Sequence, residues 1–310
     1  MIDRRHIPLL LGLALLAGCR FKGPDPAKDD TPTSGHILIL ADRDCRAVVD
    51  KELSVFSALY PKAEIQVRYL DEADLLPAML NDSVRCVVTT LVPTGAQQAH
   101  YRKRNISTPV VPIYRAGIAV VVHRDSPVKY LNLGQVAALL GKTDGVQVTT
   151  DAEDNRFLDS LRALFADAGS GVARQLRDSL RIGQLKAQAL PDVAAVVEQV
   201  SRSTRVVGFL PFEAISDLDD PAVRALREQV RLLPIAKDAA SLPVALNQST
   251  LGDGTYPLMR TVNMVLTEGK SGLGTGFVSF VANIKGQRII LKQGLVPVKM
   301  PERNIQLVPY

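Results

Sequence analysis

A chain of 310 residues, 46% hydrophobic and 22% charged, with 21 Gly, 19 Pro and no Trp, has ordinary globular composition. That excludes a disordered polymer, a collagen-like repeat and a disulfide-dense miniprotein, and at this length a core usually divides between two lobes. The net charge of +5 comes from basic residues scattered along the chain, which suits a small anionic ligand or an anionic membrane surface and not nucleic acid, whose binding calls for a clustered basic face.

The first twenty residues carry their own signal. Arg4 and Arg5 precede an apolar run at 7–17. Such a run is far short of the ~20 residues a permanent membrane helix needs and reads as a secretory signal. It closes on Leu16-Ala17-Gly18-Cys19, which resembles the bacterial lipobox. The resemblance implies cleavage before Cys19 and a lipid on its thiol. No other apolar stretch reaches eighteen residues. The expectation is therefore an extracytoplasmic monomer, held to a bacterial cell membrane only by its N-terminal lipid. Residues 19–35, rich in Pro, Asp, Lys, Thr and Gly, read as a flexible tether.

From residue 36 short apolar runs alternate with helical periods. Residues 36–41 predict a strand. Val49, Leu53, Phe56 and Tyr60 recur at helical spacing until Pro61 stops them. A strand at 64–70, a helix at 72–80 and a strand at 85–90 follow. This β-α-β-α-β rhythm predicts a parallel sheet with helices on its faces. Further on, 110–123 and 256–266 read as two long apolar strands, 191–203 as a helix, 205–210 as a strand, and 289–298 as a packed segment. Phe277, Phe280 and Val281 mark another helix. Phe157, Leu158, Leu161, Leu164 and Phe165 fit a helical period, yet 160–166 equally fits a strand entering a turn, and periodicity alone leaves both open. Cys45 and Cys86 fall at opposite ends of two parallel strands, too far apart for a disulfide.

The motifs Tyr256-Pro-Leu-Met-Arg260, Gly272-Leu-Gly-Thr-Gly-Phe277, Gly286-Gln-Arg-Ile-Ile290 and Gly294-Leu-Val-Pro297 resemble the C-terminal part of the phosphate-binding proteins of phosphate ABC transporters. So do residues 56–65, 113–121 and 176–180, in the same order. The resemblance spans 36–310. It implies an α/β, two-lobed periplasmic-binding-protein fold of type II, each lobe a mixed sheet flanked by helices, with two crossing hinge strands. Lobe 1 would hold 36–118 and 258–310, lobe 2 119–257. It also implies capture of phosphate or a similar oxyanion between the lobes and delivery to an ABC permease.

Under that resemblance 160–166 becomes a strand, 168–171 a turn and 172–181 a helix. Such a unit aims backbone N–H groups and the positive end of a helix dipole at one point. Gly169 and Gly171 let backbone approach an oxyanion, Ser170 adds a hydroxyl and Arg174 a charge. Thr89 and Thr90 stand where the family carries a hydroxyl pair. Three positions depart from the pattern: Leu91 replaces an Arg, Val172 a Thr and Ala116 an acid that reads a protonated anion. Arg43 is the expected replacement cation, with Arg46 and Arg115 as others. Each lost charge-assisted bond removes roughly 1.5–3 kcal/mol, one or two decades of affinity. The losses favour an alternative, a lipoprotein of this fold with a structural or signalling role instead of transport.

Other motifs carry nothing further. Gly269-Lys270-Ser271 lacks the upstream glycine of a phosphate loop, and the glycines at 272, 274 and 276 miss dinucleotide spacing. His36, His100 and His123 are far apart and predict no metal site. No nucleophile elbow or Cys–His pairing predicts catalysis, and no cofactor is expected.

Overall fold

A computed structural model describes residues 30–81, 83–141, 160–167 and 169–299. Cys19, most of the tether, Phe157, Leu158 and Ala168 lie outside the described residues.

The expected alternation opens the fold: β1 (Gly35–Asp42), α1 (Arg46–Leu59), β2 (Ala63–Leu70), α2 (Glu72–Met79), β3 (Val84–Thr89) and α3 (Gly95–Arg102), then the long β4 (Val110–His123). β1 pairs in parallel with β2 and with β3. The α1 stripe lays Val48, Val49 and Phe56 on the sheet, and the Phe56 ring meets Phe277 at 5.2 Å and Phe280 at 5.3 Å. Burying a side chain of this size contributes roughly 1.5–3 kcal/mol. Helix α3, which no apolar period announces, starts at a reciprocal capping box between Thr94 and Gln97.

β5 (Leu131–Asn132) and α4 (Leu133–Gly141) follow, then β6 (Arg162–Ala166), α5 (Gly171–Ser179), β7 (Gln188–Leu190), α6 (Val193–Ser201) and β8 (Val206–Pro211). The stretch that periodicity left open is thus a strand at its C-terminal end, with Leu164 and Phe165 buried between neighbours and Phe165 stacked on Phe209. The chain closes with α7 (Pro221–Arg227), β9 (Val230–Leu232), β10 (Ile235–Ala236), α8 (Gln248–Gly252), β11 (Met259–Leu266), α9 (Leu273–Val281), α10 (Ile284–Lys292) and β12 (Val296–Pro297). Residues 289–298, read as one segment, divide between α10 and β12. The strand expected from 256 begins at Met259, because Tyr256 turns its buried ring inward and donates its hydroxyl to the Ile118 carbonyl at 2.7 Å.

The strands form a curled mixed sheet in the order β2-β1-β3-β11-β4-β8-β6-β7. β4 belongs to both halves. Residues 110–117 pair with β11, and 118–122 pair with β8. The chain also passes between the halves at Leu258, whose carbonyl accepts from the Ile118 N–H at 2.8 Å. Gly117 sits at this change of partners because a Cβ there would lie 2.8 Å from Leu246. Cys45 and Cys86 are free and buried.

This topology positions the site. The C-terminal ends of β1, β2 and β3 in the first half and of β6 in the second meet along one seam. In parallel α/β sheets that edge is where ligands bind.

Candidate functional site

Helix α5 begins at the seam as a strand-turn-helix unit. Ser170 is its N-cap, buried, with Oγ accepting from the Ala173 N–H at 3.2 Å. The hydroxyl oxygen therefore caps the helix start, which leaves its O–H as a donor. Gly169 and Gly171 allow close approach: a Cβ on Gly169 would overlap the Asp71 carboxylate, and one on Gly171 would strike Asp42 and reach 3.0 Å from Glu72 Oε2. What approaches the turn is the chain's own acid residues.

The centre is Glu72, the first residue of α2 and wholly buried. Its Oε1 accepts from Thr89 Oγ1 at 3.0 Å, from the Thr90 N–H at 3.0 Å and from the Thr90 hydroxyl. Its Oε2 accepts from Arg174 Nε at 2.5 Å. Arg174 also donates to Thr90 Oγ1 at 2.8 Å and to Asp178 at 3.0 Å. The structure thus brings Thr89, Thr90 and Arg174 together, from β3 on one side of the seam and α5 on the other, around one carboxylate. Burial alone would push the Glu72 carboxyl up. The bonds from Arg174, Thr90 and Thr89 outweigh burial and hold it below its ordinary value, so it is ionised at neutral pH.

Around this pair the seam is acidic. The Val172 N–H donates to Asp44 Oδ2 at 2.9 Å. The Glu72 N–H donates to the Gly169 carbonyl at 3.2 Å. Arg43 faces carboxylates, Asp167 Oδ2 at 2.8 Å and Asp71 Oδ1 at 3.3 Å, and lies outside the Arg174 set. Arg46 covers the Tyr69 ring at 4.0 Å. Leu91 packs against the apolar cluster beneath α2, and Val172 is buried. Between Arg43, Arg46, Asp50, Asp167 and Asp192 a cavity of about 620 Å³ opens beside the seam.

Behind the turn lies a second buried charge group. Arg260 on β11 stands opposite Ala116 in register. Its Nη1 donates to Asp44 at 3.1 Å and its Nη2 to Glu213 at 2.7 Å, a residue of the short turn after β8. Burial is the main force on Asp42, Asp44 and Glu213. It raises all three carboxyls despite Arg260. Asp42 Oδ2 and Glu213 Oε2 have no hydrogen-bond partner among the described residues.

The sequence reading missed Glu72, Asp42, Asp44, Asp71 and Glu213. The available signal was positional: Asp42-Arg43-Asp44 and Asp71-Glu72 follow two consecutive parallel strands, so all fall on the edge that holds the anion turn. Among the described residues no group of three or more His, Cys, Asp or Glu could hold a metal ion.

A curled mixed sheet whose halves share one strand, with donors gathered at the strand ends along their seam, is the architecture of the periplasmic-binding-protein fold. The PBP superfamily domain model matches residues 26–283, and the chain belongs to that family. It is similar to the phosphate-binding protein PstS of Pseudomonas aeruginosa, 24% identical over 272 residues, 81% of this chain and 80% of that protein. A phosphate ABC transporter substrate-binding protein of Clostridium perfringens, solved with bound phosphate, superposes with a TM-score of 0.67 at 16% identity, covering 86% of this chain and all of that one. The ABC-type phosphate transport receptor of Vibrio cholerae gives 0.63 at 13% identity, over 85% of this chain and all of the receptor. These relatives are named as phosphate-binding and phosphate-transport proteins, not as enzymes.

Proposed function

We propose that the chain is a lipid-anchored, extracytoplasmic solute-binding protein that takes an oxyanion, phosphate first, at the seam and passes it to an ABC permease. The observation that carries this reading is the convergence of both threonine hydroxyls and the Thr90 N–H on one oxygen of the Glu72 carboxylate and of Arg174 on the other. Two phosphate oxygens can accept the same bonds as the two carboxylate oxygens now there. The relatives' phosphate ligand supports the choice among oxyanions. Residues 36–118 with 258–310 form one lobe of this reading and 119–257 the other, hinged where β4 changes partners and at Leu258. Ligand touching both lobes stabilises the closed form. Lipidation at Cys19 anchors the protein. Among the described residues no helix is long and apolar enough to cross a membrane.

Thermal unfolding in rising phosphate, sulfate, arsenate and phosphonate, against chloride at matched ionic strength, tests the reading. Ligand at ~100 times its Kd adds ~2.7 kcal/mol, which is several degrees at this size. No shift with any of them at millimolar concentration rejects it. A Cys19→Ser variant should leave the membrane fraction and lose the mass of the lipid.

A second reading, a lipoprotein of this fold with a structural or signalling role, is favoured by one observation: the oxyanion position is already filled by Glu72. Growth on limiting phosphate by a strain deleted of the gene separates the two. An uptake defect supports transport.

A further inference from the structure

We propose that Glu72 is a tethered substitute for the ligand: its carboxylate holds the two halves closed without ligand, and an anion binds only by displacing it. This rests on reading Arg174, Thr89 and Thr90 as the anion site.

Three observations carry it. First, Glu72 satisfies the site completely enough to act as its ligand, with three donors on one oxygen and a guanidinium on the other. Second, its bonds span the seam. The carboxylate comes from α2 and the cation from α5, while the Glu72 N–H reaches the Gly169 carbonyl. A bond of this kind closes the halves as a bridging ligand would. Third, Gly171 admits the acid. Its missing Cβ is the space that Glu72 Oε2 and Asp42 occupy, so turn and carboxylate fit each other as the chain stands.

A tethered occupant lowers apparent affinity by the fraction of molecules whose site is free. If the Glu72-bound form makes up ~90–99% of the unliganded protein, apparent Kd rises ~10- to 100-fold over the intrinsic value. Glu72 is thus a specificity device too. A weak anion does not displace it, whereas one that adds bonds beyond the carboxylate's two oxygens does. A tetrahedral dianion such as phosphate has two further oxygens to offer.

The test uses the full-length chain in detergent with spin labels at Lys51→Cys on α1 and Gln199→Cys on α6, both exposed, since the native thiols Cys45 and Cys86 are buried. Phosphate affinity is read by calorimetry and the inter-label distance by pulsed dipolar spectroscopy. Wild type should show one short distance with or without phosphate. Glu72→Ala should lengthen the distance without ligand, shorten it with phosphate, and bind phosphate ~10- to 100-fold more tightly. Glu72→Gln, which keeps the shape and protects the fold, should lie between. Asp71→Asn removes a neighbouring charge without touching the Arg174 set and should tighten binding far less.

If Glu72→Ala binds phosphate no more tightly than wild type, or Asp71→Asn tightens it as much, displacement is overturned and the anion site stands. If no variant binds phosphate, sulfate or arsenate, the oxyanion reading fails instead. The distance then decides: lengthening in Glu72→Ala upholds the clasp, and an unchanged distance removes it.

Discussion

Arg260 Nη2 donates to Glu213 Oε1 at 2.7 Å while Nη1 of the same guanidinium holds Asp44 at 3.1 Å. One cation on β11 thereby ties the end of β1 to the turn after β8, with both acids and the arginine almost wholly buried. Three carboxyls share this cation, counting Asp42, so the group is short of positive charge and each acid is held above its ordinary value.

Replacing Arg260 with Met should therefore be among the most damaging single changes, at about 3–5 kcal/mol in urea unfolding at neutral pH, because it strands the acids in the core. The sign with pH follows from their raised values. Stability contributed by such groups is full below the ordinary carboxyl range and is lost as pH climbs towards their folded-state values. The deficit of Arg260→Met should accordingly shrink between pH ~7 and pH ~5. A deficit independent of pH would assign the damage to packing.

Glu52 makes a separate prediction. It lies on the buried face of α1, neither carboxylate oxygen has a partner among the described residues, and burial raises its carboxyl from 4.5 to about 9. The folded protein thus carries Glu52 protonated at neutral pH, and stability falls as pH rises from ~4.5 to ~9. Glu52→Met, close in volume, should raise stability at pH ~7 by roughly 2–3 kcal/mol and flatten the pH profile across that window. Calorimetric Tm from pH 5 to 9 measures both effects.

Gly171→Ala tests how tightly the seam is built. The added Cβ meets Asp42 and Glu72 from the opposite half. Overfilling of this kind costs about 1–3 kcal/mol when the neighbours cannot move. Under the proposed hinge the halves separate instead, so the expected outcome is a more open molecule in small-angle scattering with a modest loss of Tm. An unchanged radius of gyration with a large loss of Tm would mean the halves do not move as bodies.

Tyr256→Phe probes the crossing. The tyrosine hydroxyl satisfies the Ile118 carbonyl at 2.7 Å, and the residue opposite Ile118 on β8 is Pro211, which has no N–H to offer. Leaving that buried carbonyl unpaired should cost about 1–3 kcal/mol in urea unfolding. A change below ~0.5 kcal/mol would show that another donor takes over.

Much of the fold could be read before any coordinates. Apolar periods located β1, α1, β2, α2 and β3, and parallel pairing followed from their alternation, since parallel strands need crossover helices. Separation of the two cysteines followed from the same pairing. The strand-turn-helix at 162–179 was readable only with the family order beside it, because an apolar run of that length satisfies both periods. Thr89, Thr90, Ser170 and Arg174 could be named as residues near a seam. Their partners could not.

Glu72 shows why. In sequence it is an acid in the first turn of a helix, a position any helix favours through its dipole, and it lies 102 positions from Arg174. Local pattern determined that it would start α2. That it would be buried, ionised and bonded to an arginine from the far side of the sheet was decided only when β4 carried the chain across and closure brought the ends of β1, β2, β3 and β6 together. Pattern is set by interactions a few residues apart, whereas charge pairing in a seam depends on which strand ends the topology makes neighbours.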